Sequence, residues 1–145
     1  MDVDLLLAGA HHLAVFALAA ILAAEFVLLR PGLAGDRLAL IGRIDGFYGG
    51  LAALVIIIGI LRVLFGATGW DYYAGNWAFW LKMAAFGGVG LASLPPTLAI
   101  LRWRRAGIAP TAADIGSLRP YLLLQLGLFA LIPIFAAMMA RGYGV

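Results

Sequence analysis

Residues Trp77–Leu101 read WAFWLKMAAFGGVGLASLPPTLAIL, a stretch with a single ionisable side chain, Lys82. Wound as a helix at 1.5 Å per residue, it is long enough to cross a hydrocarbon core about 30 Å thick. Three further runs share this character, roughly Leu5–Leu29, Asp45–Phe65 and Leu118–Ala140. Only short connections remain between them, so the spacing predicts one four-helix transmembrane domain over residues 1–145 and no soluble domain. The composition agrees. The 145 residues are 65% hydrophobic and 12% charged, with a mean hydropathy of +1.04, well above an ordinary soluble domain.

The first run is preceded by Asp2 and Asp4 rather than by basic residues, and it is too long for the apolar core of a signal peptide. It is expected to be a mature helix. The absence of cysteine excludes disulfides, thiolate metal ligands, iron–sulfur clusters and covalent c-type haem. The net charge of +3 does not imply a nucleic-acid partner, because the basic residues flank apolar runs instead of forming a solvated face. The partner implied first is the lipid bilayer.

Arginine is distributed asymmetrically. The first connection holds Arg30, Arg37 and Arg43, and the third holds Arg102, Arg104 and Arg105, followed by Arg119; the second, Gly66–Asn76, has neither Lys nor Arg. By the positive-inside rule, connections one and three are cytoplasmic and both termini are periplasmic, in a bacterial inner membrane. Trp70, Tyr72, Tyr73, Trp77 and Trp80 then form an outer aromatic belt. Pro31–Gly32 is expected to stop helix 1, and Pro110 to break connection three. Ser117, before Arg119–Pro120, is expected to cap the fourth helix, while Pro95–Pro96 and Pro133 are expected to kink their helices. Short connections make sequential helices antiparallel neighbours. The expected architecture is therefore an all-α, up-down-up-down bundle with the first and third long helices on a diagonal.

Polar and small residues at spacings of three and four mark the inward faces. These stripes are Asp45, Tyr48, Ala52, Val55, Gly59 and Arg62; Lys82, Phe86, Val89, Ser93 and Pro96; and Gln125, Phe129, Ile132, Ala136 and Met139. On the first helix, His12 shares a face with Ala8, Ala19 and Ala23, and His11 shares one with Ala14, Leu18, Leu22 and Glu25. The small-residue groove favours His12 as the inward one.

Depth sorts the polar groups into an inner layer, with Glu25, Arg43, Asp45 and Arg119, and an outer one, with His11, His12, Arg62 and Lys82. An ionisable group inside a membrane helix costs ~2.5–3.5 kcal/mol on insertion scales, so the outer layer needs a compensating partner. The outer groups are all basic. They call for neutral, electron-donating His and Lys, for an anionic ligand, or for both. Haem b meets both demands, with His12 and Lys82 as axial metal ligands and Arg62 beside a propionate.

At His11–His12, Arg43-Ile44-Asp45 with Tyr48, Gly59 to Arg62, Tyr72–Tyr73, Asn76, Lys82 and Pro96–Thr97, the chain resembles a family of small bacterial integral membrane proteins of unknown function. More distantly it is similar to HemJ-type protoporphyrinogen IX oxidases, four-helix proteins that hold haem b with a His on the first helix and a Lys on the third. The resemblance implies His12 or His11 with Lys82 as axial ligands. With haem b bound, the chain is expected to act as a membrane oxidoreductase drawing electrons from a quinol or a porphyrin-like small molecule near the outer surface.

Each residue has a structural alternative. Lys82 can snorkel to the interface beside Asp71, either histidine can hydrogen-bond a neighbouring helix, and Arg62 can anchor at the interface through Asp71. Glu25 can pair with Arg43 or Arg119. The matching alternative function is a non-enzymatic bundle, either a small transporter or an assembly subunit, and Gly87, Gly88 and Gly90 on an exposed face would favour a homo-oligomer.

Overall fold

The computed structural model describes residues 2–145. Four long helices are present: α1 (Val3–Leu28), α2 (Gly35–Phe65), α4 (Trp77–Ala106) and α5 (Ala112–Ala140), with a one-turn helix, α3 (Trp70–Ala74), between α2 and α4. All four long helices have the length and hydropathy to cross a membrane. α1 packs along α2, and α4 along α5; the two hairpins meet through narrower α1–α5 and α2–α4 seams. α1 and α4 lie on a diagonal and do not pack directly.

The helices outrun the apolar runs that announce them. α4, at ~45 Å, is longer than the hydrocarbon core, so its arginine-bearing end continues as helix through the interface. Arg37 and Arg43 therefore sit on α2, and Arg102, Arg104 and Arg105 on α4. The N-cap of α5 is Thr111, not Ser117. Its hydroxyl accepts from the Asp114 N–H at 3.2 Å, and the Asp114 carboxylate accepts from the Thr111 N–H at 2.9 Å, a reciprocal capping box that starts the helix just after Pro110. Pro120 and Pro133 lie inside the continuous helix α5, and Pro95 and Pro96 inside α4.

The core is a seam of large apolar side chains, including Leu18, Leu22, Ile41, Val55, Val89, Ile100, Leu122 and Phe129. Much of each helix faces outward with Leu, Ile and Phe, for example Leu13, Phe16, Phe47, Leu91 and Leu98. Lipid is as apolar as these residues, so burial alone does not hold the helices together; polar contacts and close packing must.

Two polar clusters do so. Gln125 Nε2 donates to the Ala92 carbonyl at 3.2 Å, and Tyr48 Oη donates to Gln125 Oε1 at 3.0 Å. The Ala92 carbonyl is the one that Pro96, having no N–H, cannot engage. Nearby, Thr97 Oγ1 donates to Asp45 at 2.9 Å, and Asp45 and Glu25 are both buried. Glu25 is the residue expected to pair with Arg43 or Arg119. Arg119 instead donates to the Phe26 and Leu29 carbonyls at 3.2 and 2.6 Å and stacks 4.3 Å from the Phe26 ring, capping the end of α1.

Candidate functional site

At the end of the bundle that carries α3, the helices enclose a cavity of about 320 Å3. Its polar lining is basic: His11 from α1, Arg62 from α2 and Lys82 from α4, with no carboxylate among the lining residues. Apolar walls come from Val15, Val55, Phe86, Phe129 and Ile132. His11 Nδ1 and Arg62 Nε are buried without a hydrogen-bond partner. The Lys82 ammonium has an aromatic neighbour, its Nζ lying 5.7 Å from the centre of the Phe79 ring.

The orientation expected for the tandem histidines is reversed. His11 lines the cavity, on the stripe whose Ala14, Leu18, Leu22 and Glu25 are buried. His12 is exposed on the outer face, and its Nδ1 donates to the Ala8 carbonyl at 2.7 Å. On α1 the buried stripe is Ala14, Leu18, Leu22 and Glu25, so the Ala8–Ala19–Ala23 groove is a poor guide to the inward face. The signal that could have decided it is Glu25: two ionisable groups, His11 and Glu25, share one stripe of α1, and intramembrane ionisable residues turn toward the bundle interior.

Lys82 and Arg62 also turn inward to the cavity, where the interfacial-anchor reading placed both beside Asp71. Space for the His11 ring comes from Gly59: a Cβ there would touch His11 Cε1 at 3.5 Å. The glycine face on α4 is divided, since Gly88 packs against Leu128 of α5 while Gly87 and Gly90 have open space.

Aromatic side chains close the cavity at its loop end. Trp70 and Tyr73 of α3 line it together with Phe79, the Tyr73 and Phe79 rings lying 5.4 Å apart and the Trp70 and Phe79 rings 6.4 Å apart. α3 is held in place from several sides. Tyr72 Oη donates to the Met139 carbonyl at 2.9 Å and Trp80 Nε1 to the Ala74 carbonyl at 3.0 Å. Asn76, fully buried, caps α4 by accepting from the Ala78 N–H at 2.9 Å, and the Trp77 N–H donates to the Gly144 carbonyl at 3.0 Å. The residues read as a simple belt therefore build a tied-down cap.

Chemically, the site offers nitrogen donors and positive charge inside an apolar enclosure. Among the described residues, no three His, Asp or Glu side chains converge to cage a bare metal ion. Residues 3–144 match the model of the family described as Predicted membrane protein (DUF2214), and the chain belongs to that family. No curated protein and no solved structure matches it.

Proposed function

We propose that this member of the predicted membrane protein family is a haem b-binding membrane redox protein, with the basic cavity as its cofactor site. The observation that carries the reading is the convergence of His11, Arg62 and Lys82 on one apolar cavity, with His11 Nδ1 and Arg62 Nε lacking partners. His11 and Lys82, on diagonal helices, would hold the iron of the group, and Arg62 would pair with a propionate through a charge-assisted hydrogen bond. Haem b, when bound, supplies one-electron chemistry.

The chain's own part is to bind and to shield. Phe86 and Phe129 keep water from the cavity, and Trp70, Tyr73 and Phe79 cover its loop end. The electron donor fitting a site at this depth is a membrane-dissolved quinol or porphyrin-like reductant. With connections one and three cytoplasmic, the cavity lies near the periplasmic side of the inner membrane.

Protein purified from haem-replete cells should be red, with a Soret band and the reduced α and β bands of six-coordinate low-spin haem. Lys82→Met should change that spectrum, because loss of an axial nitrogen alters the ligand field. Colourless protein from such cells would overturn the cofactor assignment.

A further inference from the structure

The cavity is covered at the loop end by Tyr73, Phe79 and the half-exposed Trp70, and it opens sideways. On α2, Ile56, Ile60 and Leu64 line it while remaining 48%, 53% and 64% exposed. On α4, Met83 lines it and is 40% exposed. These side chains touch the interior and the outer surface at once, so they are the lips of an opening between α2 and α4. The three α2 residues recur every four positions, which aligns them along one edge of the opening. The α2–α4 seam is narrow compared with the α4–α5 one. The flanking outer surface is apolar, with Ile57 and Leu91 facing out. What meets the opening is therefore hydrocarbon.

We infer that the cavity is loaded from the bilayer through the α2–α4 opening, and that it admits a membrane-dissolved amphipathic carboxylate, with its headgroup drawn to Arg62 and Lys82 and its apolar body among the phenylalanines. The inference rests on the reading of the basic cavity as a binding site; haem b and the carboxylate would call on the same Arg62 and Lys82, so the two occupants exclude each other. Two features select this occupant. The lining has basic side chains and no carboxylate, so a neutral lipid would leave the Arg62 and Lys82 charges uncompensated. The α3 cap, fixed through Tyr72 and Trp80, covers the end of the cavity nearest water.

The test uses the full chain in phosphatidylcholine vesicles with a diazirine-bearing palmitate in the same membrane. Flash photolabelling should mark the α2 and α4 residues around the opening. Excess palmitate should reduce that label by roughly tenfold, and methyl palmitate, which lacks the charge, should not. Arg62→Gln with Lys82→Met should abolish the palmitate competition. Ile60→Trp with Met83→Trp keeps both cations, lies on the lipid-facing lips and should slow labelling roughly tenfold without changing helicity. Labelling of the Trp pair at the wild-type rate, or loading accelerated by Trp70→Ala, would overturn lateral entry while leaving the anion site standing. Label indifferent to palmitate and to the Arg62 and Lys82 substitutions would overturn the site itself.

Discussion

Gly59 sets the width of the cavity. Its missing side chain leaves room for the His11 ring, which an added Cβ would meet at 3.5 Å. Alanine at this position would make an ordinary contact, whereas leucine would drive its branched end into the imidazole or fill the cavity. Gly59→Leu should therefore destabilise the bundle by about 1–3 kcal/mol in detergent unfolding and displace anything bound beside His11. Ile57→Leu, on the 55% exposed lipid face, should be tolerated. Equal tolerance of both would remove Gly59 from the cavity wall. At this scale the sequence was partly legible. The inward positions of Tyr48, Gly59, Lys82 and Gln125 follow from their spacing, because a polar or small residue recurring every three or four positions on a leucine-rich helix has few reasons to face lipid. His11 and His12 were harder, since adjacent residues point about 100° apart and each lies on a coherent stripe.

Between elements, the fold is held by polar contacts that compensate for prolines. Pro96 frees the Ala92 carbonyl, Gln125 of α5 occupies it, and Tyr48 of α2 completes Gln125. Interhelical hydrogen bonds in membranes average about 0.6 kcal/mol and reach about 1.7. Gln125→Leu removes two of them and strands a carbonyl and a hydroxyl, so it should cost about 1–2 kcal/mol. Tyr48→Phe should cost less, and the double variant should be less than additive because the two side chains share a bond. Additive losses would separate Tyr48 from the network. Gln125 was legible as an inward residue, but its partner was not, because pairing a side chain with a carbonyl freed on another helix requires the register between α4 and α5. The start of α5 was legible in principle: Thr111 and Asp114 have capping-box spacing. The apolar run begins only at Leu118, and hydropathy carries no signal for the polar first turn. The Arg119 contact with the α1 carbonyls, likewise, depends on how far α1 extends before Pro31.

Taken whole, the molecule has unlike ends: an arginine-rich one, where Arg30, Arg37, Arg102, Arg104 and Arg105 cluster, and one carrying α3, Asp71 and the aromatic cap. The number of spans and the all-helical class follow from apolar run lengths alone, which is why composition sufficed for them. The cap did not follow, because Trp70–Ala74 is too short for periodicity to register. The charge asymmetry predicts that a reporter fused after Val145 reads periplasmic; a cytoplasmic reading would invert the account of which face the cavity approaches. An inward basic triad, containing His11 rather than its neighbour, is proposed to hold an iron porphyrin. The most direct measurement compares the visible spectra of His11→Ala and His12→Ala, purified side by side from haem-replete cells. Loss or conversion of the low-spin spectrum in His11→Ala, with His12→Ala unchanged, is the predicted result. Loss in His12→Ala with His11→Ala unchanged, or no haem spectrum in either variant or in the parent protein, would contradict it.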